Sequence, residues 1–201
     1  MTIHAFSILW PVALFALIGF FSPGPNTIIA TSIGLRSGWR AAWAHAWGVC
    51  VGFSVMLSFA ASGTAAAVWL LPGLDRWLRW AAAAYLCWCA WKIATSPVDE
   101  LSASGPPQFS FLQSLGFQFV NPKAWMLAAS ASGAYPQAVR GAVAPWALLM
   151  LAAIAAGSIM FWAALGAELR RVLNTPARRR AFNACMGAAL SGCAAWVLLA
   201  A

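Results

Sequence analysis

Long apolar runs separated by short polar stretches organise this chain. Six of them predict membrane-spanning helices, at about Phe6–Leu35, Ala41–Leu71, Trp77–Thr95, Phe109–Gly133, Pro145–Leu169 and Ala181–Leu199. Each is close to or above the roughly 20 residues that carry an α-helix across a bilayer core. Two runs are interrupted, the first at Ser22-Pro23-Gly24-Pro25-Asn26 and the fourth at Asn121-Pro122-Lys123. A proline in a helix interior removes a backbone donor and clashes with the preceding turn, at a cost of about 3 kcal/mol. In hydrocarbon the freed carbonyls cannot turn to water, so such a break is buried in protein or lines a wet cavity. The first run would reach about 45 Å if straight, against a core of about 30 Å, so a broken, tilted helix is expected there.

The stretch at about 96–108, with Pro97, Asp99, Glu100, Gly105, Pro106 and Pro107, divides the chain into two halves of three spans. An odd count per half makes the halves run oppositely through the membrane. Each half carries its break in its first span, and paired interruptions at corresponding positions of inverted halves point to a transporter's central site. The expected fold is an all-α membrane protein forming a single transmembrane domain. Its six helices would form two inverted three-helix repeats, about 1–95 and 109–201, with the first helix of each repeat broken.

Composition agrees with this reading. Of 201 residues, 63% are hydrophobic and 8% charged, where soluble domains carry about 25% charged residues. The mean hydropathy is +0.78, and no alternating ten-residue segments suggest a transmembrane barrel. No Lys or Arg precedes the first run and no small-residue cleavage site follows a short core, which predicts a retained helix rather than a signal peptide. The net charge of +8 sits in short loops between apolar runs, not on a soluble basic face of the kind that binds nucleic acid.

Loops after the first, third and fifth spans hold Arg36, Arg40, Lys92, Arg170, Arg171, Arg178, Arg179 and Arg180. Those after the second and fourth hold Arg76, Arg79 and Arg140. The positive-inside rule places the first set in the cytoplasm and both termini outside. Arg178–Arg180 reads as a topology anchor at the lipid surface. Trp39, Trp43 and Trp47 form an i, i+4, i+8 stripe, and Trp77, Trp80, Trp88 and Trp91 bracket the third span; both read as interfacial anchors. Gly48-x-x-x-Gly52 allows close helix approach, either inside the fold or in a homodimer. Cys50, Cys87, Cys89, Cys185 and Cys193 lie in apolar segments without a CxxC pair, and read as buried free thiols rather than a metal or redox site.

The breaks are where chemistry is expected. A broken helix exposes amides where its second half begins and carbonyls where its first half ends; the former suit a carboxylate and the latter an ammonium. A zwitterionic amino acid presents both groups. Pro23, Gly24, Pro25 and Asn26 with Asn121, Pro122 and Lys123 are therefore the candidate substrate-binding residues. Asn26 and Asn121 each add an amide that donates and accepts. Lys123 is the one Lys or Arg near the middle of an apolar run, an expensive placement that predicts a side chain facing the bundle interior. His45 is a candidate proton relay whose structural reading is the stronger. The acids, Asp75, Asp99, Glu100 and Glu168, all lie in loops or at a span end. Neither a paired intramembrane carboxylate nor a serine with a nearby base is present, so no enzyme, metal or cofactor is expected.

The Ser22–Asn26 motif, the Gly34-x-x-x-Gly38 that follows it, and Asn121-Pro122-Lys123-Ala124-Trp125 resemble the lysine exporter (LysE/RhtB) family over essentially the whole chain. Ala83-Ala84-Tyr85-Leu86-Cys87-Trp88 and Ala90 to Pro97 resemble its cysteine/O-acetylserine branch. The resemblance implies a bacterial inner-membrane exporter of small, neutral amino acids, driven by the proton gradient through alternating access, with residues Pro23–Asn26 and Asn121–Lys123 at the translocation site. The alternatives are an exporter of a different small solute, and a structural or assembly membrane protein whose breaks are packing kinks.

Overall fold

The computed structural model describes residues 2–63, 74–95 and 109–199. Among these it has nine α-helices, one 3-10 turn and no strand. The order is α1 (Thr2–Phe21), α2 (Pro25–Ser37), a 3-10 turn (Trp39–Ala42) leading into α3 (Trp43–Ala61), and α4 (Leu74–Ala94). It continues with α5 (Phe111–Val120), α6 (Pro122–Ala134), α7 (Pro136–Arg140), α8 (Ala144–Val172) and α9 (Pro176–Leu199). The expected turn at Leu71-Pro72-Gly73 and the dividing stretch 96–108 lie outside the described residues.

Both breaks form where the prolines demand them. Pro25 and Pro122 each take the first position of a new helix, where the missing N–H is one that no helical carbonyl would have met. The bend between α1 and α2 is 59°. Three stretches are long and apolar enough to cross a membrane, Trp39–Ala61, Ala144–Val172 and Pro176–Leu199, and the bent α1–α2 pair makes a fourth. The chain is thus a multi-pass helical membrane protein. Charges at Asp75, Arg76, Arg79 and Lys92 in α4, and the interruption of the α5–α6 pair at Asn121, leave those segments outside that count.

Within the second apolar run α3 ends at Ala61, and the part of that run beyond Gly63, to Leu71, lies outside the described residues. Ser62 N–H bonds back to Ser58 and Gly63 N–H to Ala60, with Gly63 at φ 79°, a left-handed conformation that glycine adopts at no steric cost. The basic stretch Arg170–Arg180 is mostly helix rather than loop. Across its short turn Arg178 donates to the Val172 carbonyl and to Asn174 Oδ1, and Arg179 Nε donates to the Leu173 carbonyl at 2.8 Å. Arginines that open α9 thereby supply donors to carbonyls that α8 leaves unpaired.

The helices pack through small residues. α2 lies along α8, α4 along α9, and α3 along α5, α6 and α8, while α1 also meets α8. Where α2 crosses α8, a Cβ added at Gly34 would overlap the Ala163 carbonyl, and one added at Gly166 would overlap the Thr31 carbonyl. Without a hydrophobic drive between helices in lipid, this closeness supplies van der Waals contact instead. Gly48 and Gly52 face Ser114 and Gln118 of α5, so that motif serves internal packing. Two buried clusters result, one around Leu86, Ile93, Phe117 and Leu190, the other around Val12, Phe53, Met56 and Leu151.

The tryptophan stripe points outward, with Trp39, Trp43 and Trp47 41%, 44% and 60% exposed, as an interfacial belt requires. Trp88 departs from that expectation. It is turned inward beside Phe109, beneath the Lys92 ammonium at 4.8 Å. The cysteines are free, but only Cys50 and Cys89 are buried; Cys87 and Cys185 are exposed and Cys193 half-buried. Residues two apart on an α-helix are rotated by about 200°, so Cys87 faces out where Cys89 faces in.

Replacing Gly34 with Val should force α2 away from α8 and cost about 1–3 kcal/mol, as overpacking does elsewhere. Gly192→Ala, with no atom near its added Cβ, should leave stability unchanged or slightly raised. Thermal unfolding of both variants in detergent checks the contrast; equal behaviour would remove Gly34 from the packing account.

Candidate functional site

Where α1 ends, its carbonyls need donors that its own helix cannot supply. The fold provides them one by one. Ser22 N–H bonds to Ile18 O, and Ser22 Oγ donates to Gly19 O at 3.0 Å. From α8, Ser158 Oγ donates to Phe20 O at 2.8 Å and Trp162 Nε1 to Phe21 O at 3.2 Å. From the second break, Lys123 Nζ donates to Ser22 O at 2.5 Å and to Pro23 O at 3.4 Å. A cation at a helix C-terminus also meets the negative end of its dipole. The two breaks, about a hundred residues apart in sequence, therefore meet in space.

The opposite strand of the break is set by Gly24, whose extended backbone turns the chain into α2. Its N–H donates to Thr27 Oγ1, and the same hydroxyl donates to the Gly24 carbonyl, both at 2.8 Å. The Lys123 side chain passes so close to Gly24 that an added Cβ would lie 2.9 Å from its Cδ, which makes glycine the fitting residue there. Pro25 is buried against the bundle and Pro23 exposed. In the second break Asn121 caps α6, its Oδ1 accepting from Lys123 N–H at 3.1 Å. Its extended backbone is what a residue before proline prefers.

A residue that the sequence reading did not single out joins the breaks. Gln118, fully buried in α5, accepts through Oε1 from Asn26 Nδ2 at 3.2 Å and from Asn121 Nδ2 at 3.4 Å. Its Nε2 donates to Val49 O at 3.3 Å. One amide thus ties α2, α3 and α6 together. The signal was present: a glutamine within an apolar run, one helical turn before Asn121, is expensive in lipid unless it has partners. Ser158, in mid-run of α8, carried the same signal.

Between these groups lies a cavity of about 20 Å³, lined by Gly24, Asn26, Gln118, Asn121 and Lys123, with Ala124, Ala155, Ser158 and Ile159 among the rest. That is room for about one water, and far less than an amino acid needs, so the fold is in a closed state. Asn26 Oδ1 is buried here with no hydrogen-bond partner, an acceptor directed at the site. Among the described residues no group of three or more His, Cys, Asp or Glu could hold a metal ion.

Of the seven residues expected at the site, Gly24, Asn26, Asn121 and Lys123 line this cavity, the Pro23 carbonyl accepts from Lys123, and Pro25 and Pro122 start the helices that leave the breaks. The anticipated division of labour is altered in one respect: the carbonyls expected to receive an ammonium already hold one, that of Lys123. His45, taken chiefly as structural, also borders the breaks, with Nδ1 at 2.9 Å from Ser114 Oγ and Nε2 at 3.4 Å from Asn26 O.

Comparison with known proteins bears on what such a site serves. The family profile of LysE type translocators matches residues 17–201. The cysteine/O-acetylserine efflux protein of Escherichia coli (strain K12) is 31% identical over 181 residues, covering 89% of this chain and 91% of that protein. The protein of the same name from Shigella sonnei matches equally. That of Salmonella typhimurium is 34% identical over 123 residues, 61% of each chain. No solved structure matches.

Replacing Gln118 with Ala would strand the side-chain amide donors of Asn26 and Asn121, a penalty of about 1–3 kcal/mol per buried group left unpaired. The closed state should loosen. In a cysteine-free background, labelling of Ala124→Cys, which lines the cavity, by a membrane-impermeant thiol reagent should then be several-fold faster than with Gln118 intact. An unchanged rate would show that this amide does not hold the breaks together.

Proposed function

The chain belongs to the LysE type translocator family, a transporter and not an enzyme, and we propose that it exports small neutral amino acids of the cysteine/O-acetylserine kind across a bacterial inner membrane. The observation that carries this reading is the Lys123 ammonium seated on the Ser22 and Pro23 carbonyls. A zwitterion's own ammonium matches that seat. On binding it takes the carbonyls from Lys123, whose freed charge, with the first-turn amides of α2, receives the carboxylate. Pro23, Gly24, Pro25, Asn26, Asn121, Pro122 and Lys123 form the translocation site in this account, with Gln118 as their link.

Neutral side chains suit the site because no carboxylate lines the cavity, leaving a cationic side chain without a partner. The size of the cavity means that substrate enters only when the breaks separate, which is the expectation of alternating access. Two inverted three-span halves fit the helix pairings. Exchanging α1, α2, α3 and α4 for α5, α6, α8 and α9 turns the α2–α8 contact into α6–α3 and α1–α8 into α5–α3, and leaves α4–α9 unchanged. Six spans follow if α4 and the α5–α6 pair also cross. The charge count of the loops then puts both termini in the periplasm. Counter-transport of protons completes the proposal.

Bacteria overproducing the protein should accumulate cysteine, O-acetylserine or another neutral amino acid in the medium, as amino-acid profiling would measure. Lys123→Ala and Asn26→Ala should each reduce that export to the level of cells without the protein, at unchanged amounts in the membrane. Normal export from both variants would remove the breaks from the transport site; no export of any amino acid by the parent would overturn the substrate class.

A further inference from the structure

We infer that His45 is the group that carries the exchanged proton, an assignment that rests on the export reading above. The need for such a group comes from the sequence: the four acids are Asp75, Asp99, Glu100 and Glu168, none in the interior of a break-bearing span. Glu168 is exposed and paired with Arg171 at 3.4 Å. His45 is fully buried in α3 and meets the first break at the Asn26 carbonyl.

Its two ring nitrogens have different partners. A carbonyl only accepts, so Nε2 carries hydrogen and donates to Asn26 O; Nδ1 then accepts from the Ser114 hydroxyl. In this tautomer the ring is neutral and both nitrogens are satisfied. Adding a proton at Nδ1 turns that nitrogen into a donor. The Ser114 hydroxyl can rotate to accept it and direct its own hydrogen at the carbonyl of Ser110, one turn back, a habit of serine in helices. The pair therefore accepts and releases a proton without leaving a buried polar group unpaired. A leucine or alanine at residue 114 would not permit this.

The surroundings set what the charge does. α5 offers no ionisable side chain, and α2 only Arg36 at its far end. On α4, Lys92 lies over the Trp88 and Phe109 rings, with Tyr85 and Cys89 nearby, and Phe109 faces the imidazole at 6.1 Å. On α3 the Cys50 thiol donates to Ala152 O; the 3-10 turn carries Arg40 over Trp39, and α6 carries Lys123 on the α1 carbonyls. None of these is a carboxylate. An imidazolium therefore adds positive charge at the Asn26 carbonyl, in the same break as the Ser22 and Pro23 carbonyls meant for the substrate ammonium. Like charges exclude one another there, so proton and substrate occupy the site in turn, which is the logic of exchange.

His45→Gln tests this, because glutamine can donate to Asn26 O and accept from Ser114 but does not titrate. Purified protein in liposomes would be assayed with radiolabelled L-cysteine, kept reduced by a phosphine, in two ways: counterflow against internal unlabelled cysteine, and accumulation driven by an imposed pH gradient. The expected result is counterflow within about twofold of the parent, and driven accumulation reduced to that of protein-free vesicles. Accumulation that persists in the variant overturns the assignment, as does a parent that shows counterflow but no pH-driven accumulation. Loss of counterflow in both His45→Gln and His45→Asn, at normal insertion and thermal stability, makes the residue part of substrate movement itself and also overturns it. Absence of counterflow in the parent, with every amino acid tried, is instead the failure of the export reading.

Discussion

Everything near the centre of this protein depends on satisfying the carbonyls that α1 leaves open where Pro23 and Pro25 stop it. Each unpaired carbonyl buried in a membrane protein costs several kcal/mol, and the cavity beside these ones has room for only about one water. The donors come from three places: Ser22 itself, Ser158 and Trp162 of α8, and Lys123 of the other break. Removing the prolines would remove the demand. Removing α8 or the second break would leave it unmet.

That constraint explains the packing around it. For Ser158 and Trp162 to reach α1, and for α2 to leave the break at 59°, α8 must lie against both. The close crossing at Thr31, Gly34, Ala163 and Gly166 permits this. Gly48 and Gly52 do the same for α3 and α5, and so bring Gln118 within reach of Asn26 and Val49. Small residues in these helices are the means by which long-range hydrogen bonds reach the breaks. The cavity is closed by contacts of both kinds, the polar groups of Lys123, Gln118 and Asn121 and the apolar side chains of Phe20, Leu127 and Ile159.

The local features were legible because they act within a few residues. Proline has no N–H wherever it sits, so the interruptions at Pro23–Pro25 and Pro122 follow from the chain alone. So do the helical membrane class, from runs of about 20 apolar residues, and the outward tryptophans at i, i+4 and i+8. The same reasoning placed Lys123 inside the bundle. It misjudged the basic stretch before α9, where helix ends draw arginines into their own capping.

What the tertiary structure alone decided is which distant groups meet. Lys123 and Ser22 are 101 residues apart, and Asn26 and Gln118 are 92; no periodicity or propensity encodes such a pairing. The sequence by itself determined where the backbone must break and that the break must be satisfied within protein. Only the packing of α2, α5 and α8 determined that Gln118 would link the breaks, that Lys123 would fill the seat for an ammonium, and that His45 would stand beside Asn26. Backbone geometry is set by neighbours in the chain, while hydrogen-bond partners in a membrane are set by which helices the small residues allow to touch.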